Sequence, residues 1–120
     1  MKQTRILIVD DNEDILFMMQ AMLQLKEYKV FIKDNFEAIE SFITDVAPDM
    51  IIMDMLLRGA DGREICKRLK STAVFSGIPI VMISAHSHMA AECLDAGASH
   101  FLAKPFAMSD LYEVVDRTLA

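Results

Sequence analysis

A chain of 120 residues, 53% of them apolar, can bury a core without disulfide or metal staples, and its formal charge of −6 disfavours a nucleic-acid backbone as a direct ligand. No apolar run approaches the roughly 18 residues that cross a bilayer, so no membrane partner is expected. The amino terminus enters a strand-like run without a small-residue cleavage site, so a cytoplasmic location is expected, and Cys66 and Cys93, with no partners in metal-ligand spacing, read as reduced thiols.

The first predicted strand is RILIV (5–9), which runs straight into the adjacent acids Asp10 and Asp11. Periodicity then predicts a helix over 12–26, with Ile15, Met18, Met19, Met22 and Leu23 as its apolar positions. Five successive apolar residues, 15–19, circle that helix at about 100° each, so one buried face cannot hold them all. Phe17 falls on the stripe of Glu13, Gln20 and Gln24 and should be exposed, with Leu16 partly so. Ile15, Leu16 and Phe17 are therefore candidate docking residues.

KVFIK (29–33) is the second strand, followed by a helix over 35–46 opened by Asp34 and Glu37 in capping-box spacing. MIIMD (50–54), a helix over 62–70 and IPIVMIS (78–84) come next. A helix over about 86–95 stops at Gly97, HFLA (100–103) is the last strand, and a helix from about 108 to 119 carries Leu111, Val114, Val115 and Leu119 on one stripe. Three of the strands are too continuously apolar to leave one face in water. Five strand–helix units without repeat or linker predict a single α/β, doubly wound domain over 1–120.

The polar residues fall in one place on this plan. Asp10 and Asp11 follow the first strand, Asp54 ends the third, Ser84 ends the fourth and Lys104 follows the fifth, so all lie at the carboxyl edge where open α/β sheets bind ligands. Three carboxylates with no thiolate or imidazole in ligand spacing suit a hard cation, which favours Mg2+ over zinc. Lys104 and Ser84 suggest an anion beside the metal, and a phosphoryl group attacked in line by a carboxylate is the natural candidate. Taken singly, each residue has a plainer reading: Asp10 or Asp11 as a helix cap, Ser84 as a partner of nearby backbone, Lys104 as a surface charge. Their joint placement is what argues for a site.

ILIVDD, IIMDMLLRGADG, VMISA and AGASHFLAKPF together resemble the receiver domain of two-component response regulators, chemotaxis regulators included, over essentially the whole chain. The resemblance implies a flavodoxin-like (βα)5 fold with strand order 2-1-3-4-5. It implies that Asp54 takes a phosphoryl group from a sensor histidine kinase or histidine phosphotransfer protein. Asp11, Asp54 and the backbone carbonyl of Leu56 would bind Mg2+, with Asp10 acting through a metal-bound water. Ser84 matches the hydroxyl switch position, Lys104 the site lysine and Phe101 the aromatic switch, while Lys104-Pro105 matches a bond usually cis. Phosphorylation would then reshape the surface of the fourth helix, fifth strand and fifth helix for a downstream protein target or a homodimer. Such a chain is a phosphoacceptor and not an enzyme, beyond self-phosphorylation from small donors and self-dephosphorylation.

Two positions depart from the pattern: Arg58 stands where proline is usual, which predicts a more mobile loop, and Phe101 replaces a frequent tyrosine. Three other readings fit less well. A flavin carrier would not put DDNED against a phosphate, a haloacid-dehalogenase-type phosphatase needs an acid where Leu56 stands, and a degenerate receiver serving only as a scaffold would have lost an acid or the lysine.

Overall fold

β1 (Arg5–Val9), α1 (Glu13–Leu25), β2 (Lys29–Lys33), α2 (Ile39–Val46) and β3 (Met50–Asp54) open the chain in a computed structural model that describes residues 2–120. Two short strands, β4 (Leu56–Leu57) and β5 (Ala60–Asp61), precede α3 (Gly62–Lys70). β6 (Ile80–Ser84), a 3-10 turn at Ser87–Met89, α4 (Ala90–Asp95), β7 (His100–Ala103) and α5 (Met108–Leu119) complete it. The main sheet has the order β2-β1-β3-β6-β7 with every pair parallel, which is the expected 2-1-3-4-5 once the hairpin strands are set aside.

Alternation along the strands sorts the core into two layers. Leu7, Val9, Ile51, Met53, Ile80 and Met82 meet Ile39, Ile43, Cys66, Leu69 and Cys93 on one face, under α2, α3 and α4. Ile6, Ile8, Ile52, Val81 and Ile83 meet Leu16, Met19, Leu23, Leu111 and Val115 on the other, under α1 and α5. All five residues of β3 and of β6 are buried, as their unbroken apolar runs require. Full burial of each such side chain contributes about 1.5–3 kcal/mol, so this double-sided core fixes the register of the strand ends that carry the polar residues.

Four expectations need correction. α2 begins at Ile39 and not at residue 35: the Asn35 side chain accepts the Glu37 amide at 2.8 Å, Ala38 is left-handed at φ 52°, and Asp34 and Glu37 form no capping box. Asparagine offers its own backbone an alternative to the helix, and it wins here. The fourth predicted helix is a 3-10 turn before α4 starts at Ala90, and the fourth strand starts at Ile80. Leu16, expected to be partly exposed, is 4% exposed and packs in the α1/α5 layer. The loop after Asp54, where Arg58 stands in place of the usual proline, is a hairpin in which Leu56 pairs with Asp61 and Leu57 with Ala60. Arg58 and Gly59, at φ 36° and 82°, supply the two positive angles that a type I′ turn demands, and proline, held near −65°, could not.

Candidate functional site

Asn12, not Asp10 or Asp11, caps α1: its side-chain oxygen accepts the Ile15 amide at 3.1 Å. Both aspartates are thereby free for another task. Asp10 is fully buried, and its Oδ1 accepts the Asn12 amide at 2.9 Å. Asp54 is carried in beside it by the pairing of β1 with β3, and one carboxylate oxygen from each of Asp10, Asp11 and Asp54 lies within 4.8 Å of the others.

Lys104 reaches this cluster from the end of β7. Its Nζ donates to Asp10 Oδ2 at 2.9 Å and to Asp54 Oδ2 at 3.0 Å, while its backbone amide is tied to the Ser84 carbonyl at 2.8 Å. The Lys104-Pro105 bond is cis. Burial pushes the Asp54 carboxyl above the ordinary carboxylate range, and the Lys104 ammonium only partly offsets it. Burial also works against the ammonium, yet its hydrogen bonds to Asp10 and Asp54 outweigh that and hold it above the usual lysine value. Lys104 is a fixed positive charge.

Ser84 is buried at the end of β6, its Oγ accepting the His86 amide at 2.9 Å. Leu56 donates its amide to Asp54 Oδ1 at 3.3 Å while its side chain is 49% exposed. Phe101 is half-buried against the α2/α3/α4 layer. Asp10, Asp11, Asp54, Ser84 and Lys104 thus share one sheet edge. Of the docking candidates, Phe17 is 74% exposed, Ile15 is half-buried and Leu16 is covered. Phe17 forms part of a groove of about 470 Å³ with Leu16, Ile32 and Lys33, a continuation onto β2 that the sequence reading missed.

Also missed were two neighbours of the acid cluster. Gly62 presses against the backbone of Asp54 and Met55, and its amide donates to the Met55 carbonyl at 2.6 Å. Arg58 places Nε 3.9 Å from Asp11 Oδ2. The signal for both was RGADG: two glycines three residues apart mark a tight turn and a close approach, although not what is approached.

An all-oxygen donor set from three carboxylates fits a hard divalent cation. Cys66 and Cys93 are buried in the core, where burial pushes the Cys93 thiol up to about 11, so neither offers a thiolate. His86 and His88 are both exposed, with ring centroids 5.9 Å apart.

Residues 6–116 match the response regulator receiver domain. The chain belongs to that family. The receiver domain is 34% identical over 110 residues to the response regulator MprA of Mycobacterium ulcerans, covering 89% of this chain and 46% of MprA. It spans about half the length of the curated relatives it matches. Among solved structures it is similar to the chemotaxis response regulator CheY4 of Vibrio cholerae (TM-score 0.90, 25% identity, 98% of this chain and 100% of that one). It is also similar to the receiver domain of a signal transduction histidine kinase from Syntrophus aciditrophicus (TM-score 0.85, 28% identity, 97% and 89%). Receiver domains are signalling domains that in general bind Mg2+ at an acidic pocket, and in this chain Asp10, Asp11 and Asp54 form an acidic cluster. No helix among the described residues is long and apolar enough to cross a membrane.

Proposed function

We propose that residues 1–120 act as one receiver unit in the cytoplasm, in which Asp54 accepts a phosphoryl group from a phosphohistidine of a sensor histidine kinase or histidine phosphotransfer protein. The observation that carries this reading is the bridge from the half-buried Lys104 ammonium to Asp54 and Asp10 inside a cluster of three carboxylates. An Asp54 oxygen attacks phosphorus as the P–N bond to the donor imidazole breaks, and the bond electrons stay with the departing ring nitrogen. Lys104, already 3.0 Å from Asp54 Oδ2, is placed to take a phosphoryl oxygen in exchange for that carboxylate oxygen. Asp11, Asp54 and the Leu56 carbonyl would hold Mg2+, with Asp10 acting through a water. Bound there, the ion offsets the negative charge that accumulates on the phosphoryl oxygens. Intact-mass measurement with acetyl phosphate and Mg2+ tests the reading: one phosphoryl group should be gained, and none after chelation. No gain with Mg2+ present would defeat it.

The output follows from Ser84 and Phe101. A phosphoryl oxygen would draw the Ser84 hydroxyl inward, Phe101 would fill the space left, and the surface of α4, β7 and α5 would change for a downstream protein or a second copy. Ser84→Ala should be phosphorylated as wild type is, yet show no phosphorylation-dependent dimerisation or target binding by size exclusion. Wild-type coupling in this variant would remove Ser84 from the switch.

For the donor, the exposed Phe17 in the groove between α1 and β2 supports docking of a helical partner on α1. Phe17→Ser should slow transfer from the cognate kinase by about tenfold, the effect of losing an aromatic anchor, with phosphorylation by acetyl phosphate unchanged. Equal slowing of both reactions would point to damage at the site instead.

The lifetime of the phosphorylated state should depend on Leu56. Its branched apolar side chain, two residues past the acceptor, cannot orient a hydrolytic water, whereas an amide there can. After removal of donor, Leu56→Asn should decay severalfold faster than wild type with Mg2+ present, and His86→Ala should decay much as wild type does. Unchanged decay in Leu56→Asn would rule out shielding by Leu56.

A further inference from the structure

The cations at the acid cluster are unequally shared. Lys104 serves Asp10 and Asp54 at 2.9 and 3.0 Å, while the ion-pair partner of Asp11 is Arg58, at 3.9 Å. That distance is beyond a hydrogen bond, and the Arg58 side chain is 72% exposed, so the contact is Coulombic and easily exchanged. The next guanidinium along the chain behaves differently: Arg63 clamps Asp61 through Nε and the terminal nitrogen at 2.7–3.2 Å and is not available to Asp11. Arg58 is aimed by the hairpin. Its left-handed backbone is the first central residue of the type I′ turn, and the β4–β5 pairing on either side keeps that turn beside the end of β1.

We propose that Arg58 is an internal competitor for the metal site: its guanidinium neutralises Asp11 and must yield that carboxylate when Mg2+ binds. This rests on the assignment of Asp11 as a metal ligand. With Lys104 and Arg58 in place, three carboxylates face two positive charges, and exchanging Arg58 for a divalent ion brings the cluster to neutrality. The exchange loses one attraction and leaves the displaced guanidinium near the dication, so both effects weaken Mg2+ binding. Both act through solvent and fade with ionic strength.

Isothermal titration of the whole chain with MgCl2 reads this directly. The informative variant is Arg58→Asn, because asparagine tolerates the left-handed backbone and preserves the turn while removing the charge. Its dissociation constant for Mg2+ should fall about three- to tenfold below wild type at low salt, the range for a lost exposed ion pair plus relieved repulsion, and the gap should narrow as NaCl is raised. Arg58→Lys, which keeps the charge, should stay nearer wild type than Arg58→Asn does. Equal affinities for wild type and Arg58→Asn, or weaker binding by the asparagine variant, would overturn the competition while leaving the metal site intact. Absence of Mg2+ binding by wild type and Arg58→Asn alike would instead overturn the metal assignment and the competition with it.

Discussion

Asp54→Asn is expected to gain no phosphoryl group from acetyl phosphate and Mg2+, and to lose none of its fold. The asparagine amide matches the carboxylate in shape, and its side-chain oxygen can still accept the Leu56 amide that now bonds Oδ1 at 3.3 Å. What it lacks is the nucleophilic oxygen pair. Two effects on stability oppose each other: the bond from Lys104 to Asp54 Oδ2 is lost, because the amide nitrogen in that place cannot accept, but a buried carboxylate is removed from beside Asp10 and Asp11, and burial already disfavours its charged form. Lys104 keeps Asp10 as a partner at 2.9 Å, so no buried charge is stranded. The thermal midpoint of Asp54→Asn should therefore equal or exceed that of wild type, which separates lost chemistry from lost structure. Phosphorylation persisting in a folded Asp54→Asn protein would assign the acceptor elsewhere.

Lys104→Ala supplies the complementary result. Removing the ammonium leaves Asp10, fully buried, with only the Asn12 amide, and breaking a buried ion pair costs about 3–5 kcal/mol at most. Protonation of Asp54 or uptake of a cation would lower that cost. The variant should be less stable and should still be phosphorylated, but its phosphate would lack the contact that links it to Ser84 and Phe101. It should bind targets or dimerise poorly.

The sheet was legible because its strands are short, nearly unbroken apolar runs, and the site was legible because three aspartates, a serine and a lysine each end or follow one of those runs. Neither inference needed a side-chain contact. Local competition escaped the sequence reading: Asn35 turns its own backbone, delaying α2 to Ile39, although Asp34 and Glu37 have the spacing of a cap. Phe17, expected on the polar stripe, is 74% exposed as its spacing required, whereas Leu16, expected to be partly exposed, is covered by the α1/α5 layer, a packing contact that helical spacing alone does not show. The hairpin after Asp54 was hidden for another reason. Arginine does not advertise the left-handed angle that Arg58 adopts, and two-residue strands leave no periodicity to read.

Gly62→Ala should be the most damaging small substitution outside the charged cluster. A Cβ at this position would lie 2.6 Å from the Asp54 carbonyl oxygen, 3.0 Å from the Met55 oxygen and 3.2 Å from the Met55 Cα, and every one of these is backbone. No side-chain rotation can relieve such contacts, so α3 must move away from the end of β3 or the loop must yield. Either movement strains the 2.6 Å bond from the Gly62 amide to the Met55 carbonyl, which braces the segment carrying Asp54 and Leu56. Overpacking of this kind costs about 1–3 kcal/mol or more in stability. Misplacing a reacting carboxylate by about 1 Å can cost on the order of a hundredfold in rate, so phosphorylation by acetyl phosphate should slow by at least about tenfold in whatever fraction remains folded. Gly77→Ala is the matched control, since a Cβ there meets nothing within 4 Å, and it should stay within about 0.5 kcal/mol of wild type. Urea unfolding and the phosphorylation rate of the folded protein, measured for both variants, decide the matter: a Gly62→Ala protein matching Gly77→Ala in both would show that α3 and the acceptor strand can separate at no cost to the site.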